Sequence, residues 1–398
     1  MDKTTLRKIA KVFDLHEDKA TKKAVWAIFG VLFLLAIYIR QSLVDFQTMD
    51  YLSFASWYDF VKAHGLHSFR YEFSNYNPPY TYFLYILAHI PVPRIDALKW
   101  LLGVFDIFLA VSVYYVTKLI KPKGYMPIVA ALGTLFLPTV VLNGVMWGQF
   151  DQLYVGATLF SLYYGMRGKG RWAWAWIGIA LAIKLQAVFF LPVLGILCFS
   201  RIRWQDVYWA IASFLVVTLP PMVAGRSLGS LLNIYPAQAS YFSGYLTIYA
   251  PNVYQWVPNW AFPFFNQMAV GLTVAAVLAI ILYTIINKRF TDRDILLATA
   301  LMLYIVPFLL PAMHERYFFP AGIASMLLAF AYPTIKYVAL AVLMQLITLC
   351  TFFHYLFNTT PIPFTILAML VLFIICVLAV DYFHLPFELP RTIKNSGV

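Results

Sequence analysis

Residues 41–85 read QSLVDFQTMDYLSFASWYDFVKAHGLHSFRYEFSNYNPPYTYFLY, and the placement of this stretch decides the fold. It begins where a first apolar run ends and carries Asp45, Asp50, Asp59, Lys62, His64, Arg70 and Glu72, in a chain with only 12% charged residues. Tyr51, Leu52, Phe54, Ala55, Trp57, Tyr58, Val61 and Ala63 recur near helical spacing, with Ser53, Asp59, Lys62 and His64 on the other face. The pattern predicts an amphipathic helix lying in a membrane interface with its rings at headgroup depth, and Asp50 as its N-cap. Pro78 and Pro79 disfavour helix at Asn77 and supply a stiff turn, beyond which the chain can re-enter the membrane from Tyr80. A solvated loop whose aspartate only caps a helix would share these features.

Outward from this stretch the chain is apolar. Its 398 residues are 62% hydrophobic, against ~45–50% for an ordinary soluble domain. That composition predicts an all-α polytopic membrane protein forming one unit over 1–398. Apolar runs recur at 24–39, 97–117, 125–142, 153–166, 207–223, 262–286, 295–310, 318–332, 337–353 and 363–382. Two shorter runs, 172–183 and 187–199, are interrupted by Lys184-Leu-Gln186 and read as half-length helices, while 80–92 reads as only partly inserted. With spans needing ~17–25 residues, the expectation is about 12 (11–13) transmembrane helices. Two long outer loops, 40–80 and 224–260, carry amphipathic segments, the second around 234–249.

A formal charge of +12 could indicate a nucleic-acid partner, so its distribution matters. Placed on alternate loops, most of the 29 Lys and Arg fall on one side: the head 1–23, 118–123, 167–171, 201–203, 287–294, Lys336 and the C-terminal segment. This is the positive-inside bias, and it reports topology and membrane lipids rather than nucleic acid. The head is expected on the anionic inner leaflet, the run 24–39 as a retained anchor, and loop 40–80 outside. Cys198, Cys350 and Cys376 lie in or beside apolar runs without metal-ligand spacing.

Polar residues embedded among apolar runs are costly and tend to face a cavity. Five sets stand out: Asp50; Asn75 with Asn77; Gln149 with Asp151; Lys184 with Gln186; and His314-Glu315-Arg316. The topology puts all five at outer ends of spans. Each also has a structural reading: Gln149 and Asp151 as a helix cap, Glu315 and Arg316 as an ion pair. Asp106, alone inside a span, reads as a packing residue paired with Lys99. A carboxylate with Lys, His and Arg at one membrane face suits transfer from a lipid-phosphate donor, the base taking a hydroxyl proton and the cations neutralising the departing phosphate.

Five motifs carry a resemblance over nearly the whole chain: Met49-Asp50-Tyr51 before Trp57-Tyr58, Asn75-Tyr76-Asn77-Pro78-Pro79-Tyr80, Trp147-Gly148-Gln149-Phe150-Asp151, Lys184-Leu185-Gln186-Ala187, and Met313-His314-Glu315-Arg316-Tyr317. In this order they resemble GT-C superfamily glycosyltransferases, within them the bacterial mannosyltransferase-like proteins related to the second mannosyltransferase of GPI-anchor synthesis. The resemblance implies an inverting transferase without metal or cofactor, using a polyprenyl-phosphate-linked hexose on the outer leaflet, with the catalytic carboxylate at Asp50. Many GT-C members pair acidic residues in this loop; here the nearest acidic neighbour is Asp45, which stays an alternative base. On this reading Lys184, His314 and Arg316 bind the donor phosphate. Asn75, Asn77, Gln149, Asp151, Gln186 and Glu315 bind sugar or acceptor, a glycolipid or envelope glycan. A transporter or flippase of lipid-linked saccharides would also place polar residues around a cavity, but no internal repeat is visible in the sequence.

Overall fold

A computed structural model describes residues 19–384, so most of the basic head lies outside the described residues. The described chain is helical apart from one pair of two-residue strands. The first helix, α1 (Lys19–Gln41), leaves Trp26, Leu34 and Tyr38 exposed, as a helix against lipid would. It is followed by α2 (Met49–His64), α3 (Pro78–Ala88) and α4 (Arg94–Ile120). Next come α5 (Met126–Phe136) and the single turn α6 (Pro138–Val141), which runs into a π-turn at Leu142–Met146. Pro138 breaks the pair, which bends by 51°.

Helices α7 (Asp151–Met166), α8 (Gly170–Ile183), α9 (Leu191–Cys198) and α10 (Tyr208–Val223) complete the first half. Here α7 is the central element, packed between α4 and α8, and α8 packs in turn on α10. The α8–α10 contact depends on Gly178, where a Cβ would run into the Ala210 carbonyl. The second half holds α11 (Leu228–Ser240), α12 (Phe262–Ile286), α13 (Asp292–Leu309), α14 (Phe319–Ala331), α15 (Ile335–Phe357) and α16 (Phe364–Phe383). Within it α13 packs on α14 and α16, and α9 joins it to the first half.

Among the described residues six helices are long and apolar enough to cross a membrane, and seven if the bent pair counts as one span, so this is a helical integral membrane protein. The run 318–332, expected as a span, forms the 13-residue α14, and 172–183, expected at half length, forms the 14-residue α8. At 1.5 Å per residue these reach only about 20 Å, against ~30 Å of hydrocarbon. The 11-residue α3 is likewise short.

The structure corrects three local expectations. The N-cap of α2 is Thr48, whose hydroxyl accepts from Tyr51 N at 3.1 Å, and Asp50 stands in the first turn instead. The apolar face of α2 is covered by protein: Tyr51, Phe54, Ala55, Tyr58 and Val61 are buried. In the second long loop the helix is 228–240, not 234–249, and the chain then forms β1 (Thr247–Ile248).

Candidate functional site

Asp50 is aimed by the segment 147–149. Trp147 Nε1 and Gln149 Nε2 each donate to Asp50 Oδ2 at 2.7 Å. Between them Gly148 takes φ +100°, a conformation that side-chain-bearing residues rarely adopt, and this lets both flanking side chains reach one carboxylate. The Thr48 hydroxyl donates to the Trp147 carbonyl, and Lys99 Nζ reaches the carbonyls of Phe46 at 2.7 Å and Met146 at 3.2 Å. Lys99 thus ties the loop before α2 to the segment before Trp147. Asp106 is held by Arg40 instead, with Nε to Oδ2 at 2.7 Å.

A relay leads away from Asp50. Tyr76 donates to Gln149 Oε1 at 3.0 Å, and its ring faces Lys184 Nζ at 5.6 Å. Burial pushes the Tyr76 phenol up to about 12, against the opposing pull of Arg316, so it stays protonated and keeps donating. Lys184 sits where the chain breaks after α8, in an extended conformation (φ −154°, ψ 137°) before a 3-10 turn at Leu185–Phe190. Its partner is Asp151, the first residue of α7, which also accepts from Asn143 Nδ2 at 3.1 Å.

His314 and Arg316 are carried by a strap after α13. There β2 (Met313–His314) pairs in parallel with β1, so the second long loop fixes the strap. The Arg316 guanidinium lies 5.1 Å from the centre of the Trp147 ring and 4.0 Å from Asp151 Oδ2, while its buried Nε and Nη1 have no hydrogen-bond partner. Tyr355 of α15 also stacks on that indole, with ring centres 4.2 Å apart. Burial pulls the guanidinium down, but Tyr76, Asp151, Asp50 and Glu315 pull it up further, and the net shift is upward, so Arg316 is a cation.

These groups open on a cavity of about 670 Å³. Of the residues expected from the sequence, Asp50, Asn75, Lys184, Gln186, His314 and Arg316 line it. The structure withholds the other four from direct contact. Asn77 spends its amide on Tyr235 OH at 3.0 Å and on Gln238 Nε2 at 3.0 Å. Gln149 is fully buried behind Asp50, Asp151 is buried against Lys184, and Glu315 is buried beside His314 rather than paired with Arg316. Glu72, Arg226, Ser230, Asn233, Tyr241 and Tyr355 line the cavity without having been singled out. A largely polar stripe at 226, 230, 233, 237 and 241, spaced three or four residues apart, was the signal available for the second loop. Among the described residues no group of three or more His, Cys, Asp or Glu is placed to hold a metal ion.

The family model for Glycosyltransferase family 87 matches residues 73–311, and the chain belongs to that family. Asp50 lies before the matched region and His314 to Arg316 after it. No curated protein matches the chain.

Proposed function

We propose that this family 87 glycosyltransferase moves a hexose, mannose on the sequence resemblance, from a polyprenyl-phosphate donor to a hydroxyl of a glycolipid or envelope glycan. The reaction takes place on the outer membrane face, with inversion at the anomeric carbon. One observation carries the reading: a carboxylate and a buried guanidinium with two unpartnered donor atoms share one cavity, joined through a single indole. Asp50 accepts from Trp147 Nε1, and Arg316 lies over the same ring.

Asp50 takes the proton of the acceptor hydroxyl as that oxygen attacks the anomeric carbon. The bond from that carbon to the phosphate oxygen breaks, and polyprenyl phosphate leaves with the bonding pair. The hydrogen bonds to Oδ2 fix the orientation of the carboxylate. Asp45 is exposed and stands outside the cavity, which favours Asp50 as the base. Arg316 meets the developing phosphate charge in a water-poor site, where such stabilisation is strongest. Lys184 is already matched by Asp151, so it helps chiefly by holding the 184–186 turn in place, with Gln186 beside the sugar. The charge bias of the loops supports the outer face.

Purified protein in detergent, given polyprenyl-phosphate-linked [14C]mannose and an extract of membrane glycolipids, is expected to transfer label. Detergent abolishes compartments, so label transfer there excludes a flippase, and donor binding without label transfer would overturn the transferase reading. Orientation is tested separately with a Lys169→Cys variant in a background without Cys198, Cys350 and Cys376. An impermeant thiol reagent should leave it unlabelled in intact cells, and labelling from outside would reverse the topology.

A further inference from the structure

The cavity has a second wall that the transfer chemistry does not use. Ser230, Asn233 and Ala237 of α11, with Tyr241 just beyond its end, line the cavity at the three- and four-residue spacing of one helix face. The opposite face leaves Leu228 and Leu232 exposed. Only Leu231 of this helix is buried, so apolar packing does little to hold it. Polar bonds do: Tyr235 OH donates to the Leu181 carbonyl at 2.8 Å, and Gln238 Nε2 to the Asn75 carbonyl at 2.9 Å. An apolar outer face and a polar inner face make α11 a roof whose hydrogen-bonding groups point at whatever fills the cavity.

The wall is neutral in sum. Its one cation, Arg226, is matched by Glu72 at 3.6 Å and donates to Ser230 Oγ at 3.2 Å, and the remaining groups are amides, hydroxyls and rings. The Asn233 amide is exposed to the cavity and takes part in no hydrogen bond among the described residues. Phosphate asks for uncompensated cations, which this wall lacks. A ring of hydroxyls asks for paired donors and acceptors with an aromatic face alongside, as Asn233, the Glu72–Arg226 pair and Tyr241 supply.

Building on the transferase reading, we infer that the α11 wall, centred on Asn233 and the Glu72–Arg226 pair, is the acceptor subsite, and that it takes a neutral saccharide ring rather than an anionic headgroup. The ring would lie between this wall and Asp50, with the attacking hydroxyl toward the carboxylate.

The test is equilibrium binding to the full chain in lipid nanodiscs, which requires no turnover. The probes are hexyl mannoside, hexyl mannoside 6-phosphate and polyprenyl phosphate. The neutral glycoside should bind more tightly than its phosphate. Asn233→Ala should weaken it by roughly fivefold to tenfold, the worth of one hydrogen bond, and leave polyprenyl phosphate within about twofold. Arg316→Ala should do the reverse. Leu232→Ala, on the exposed side of the same helix, should change neither and controls for damage to α11. Tighter binding of the phosphate, with its advantage abolished by Arg226→Gln, would show an anionic acceptor and overturn the proposal. Neutral-glycoside binding that falls with Arg316→Ala but not Asn233→Ala would also overturn it, by putting the ring in the donor site. Failure of the transferase reading appears separately, as absence of label transfer by the unaltered protein.

Discussion

At one end of the helical bundle Arg201, Arg289, Arg293 and Lys336 each meet a carboxylate, while at the other Arg316 and His314 face a cavity. Arg201 pairs with Asp292 at 2.7 Å and also donates to the carbonyls of Met166 at 2.8 Å and Phe290 at 2.7 Å. Asp381 takes Lys336 at 2.8 Å and Arg293 at 3.3 Å, and Asp294 closes a capping box with Thr291 while accepting from Arg289. Those contacts staple the turn at 287–294 to neighbouring helix ends. At the cavity end His314 is spent on Glu315, but buried Arg316 Nε and Nη1, Gln186 Oε1 and Glu315 Oε1 lack hydrogen-bond partners. An unmet buried polar group costs about 1–3 kcal/mol, so a cluster of them is a stability loss that a bound ligand would recover. The same residue types therefore serve two purposes, and what separates them is how far their hydrogen bonds are already spent: Arg289 keeps only Nη1 unpartnered, whereas Arg316 has both Nε and Nη1 free of hydrogen bonds.

If that division holds, substitutions at the cavity end should damage transfer far more than folding. The largest effect is expected at Asp50. Asp50→Asn keeps an oxygen to accept from Trp147 and Gln149 but cannot take a proton, so transfer should fall by about 10²–10⁴-fold with thermal unfolding nearly unchanged. Asp45→Asn should keep most activity; exchange of the two phenotypes in the label-transfer assay would move the base to Asp45. Next comes Arg316→Ala, which removes a charged donor from a buried site and should weaken polyprenyl-phosphate binding by roughly 2–3 kcal/mol. Unchanged affinity in a direct binding measurement would assign Arg316 to structure. Lys184 tests the border between the two classes. Lys184→Ala strands Asp151 in the interior, where breaking a buried pair costs about 3–5 kcal/mol, so it should fail first in stability. Lys184→Met with Asp151→Asn should recover folding in a thermal scan.

Much of this contrast was legible in the sequence, because polar residues stand out against apolar runs. The five polar sets converge on one region, and the break at Lys184 lies where the run was interrupted. What was illegible is how each group spends its hydrogen bonds. Thr48 and Asp50 are both good caps two residues apart, and the choice is made by Trp147, whose carbonyl takes the Thr48 hydroxyl. Lys99 and Asp106 share a helix face, yet seven residues separate them by about 10.5 Å along the axis. Arg40 on α1 arrives beside Asp106 instead. Asn77 and Gln149 belong to two of the five motifs, but their side chains are buried and hydrogen-bonded behind the cavity lining. Span number was the least legible feature, because apolar composition does not report how far a helix continues.

At the stapled end the expected effects are smaller and fall on stability alone. Asp292→Asn breaks a partly exposed pair with Arg201 and should cost about 1 kcal/mol or less, with transfer per folded molecule unchanged. Loss of activity there, out of proportion to loss of folded protein, would break the contrast between the ends.

The smallest effect is a change in slope with pH. Burial by itself would raise the Asp294 carboxyl, but hydrogen bonds from Arg289 and Thr291 outweigh it and hold the group below its ordinary range. A carboxylate depressed in the folded state contributes stability that is fully present above its unfolded value, ~3.9. That contribution is lost as pH falls through the lower folded value. Thermal unfolding in detergent between pH 3 and pH 7 should therefore show an acid limb below about pH 4 that is shallower in Asp294→Asn. At pH 7 the variant should be the less stable, because Arg289 and the capping box have lost their charged partner. Transfer at pH 7, corrected for folded protein, should match the parent. An identical acid limb in the two proteins would mean that the staple at 287–294 draws nothing from this charge. The difference between the ends would then rest on the cavity alone.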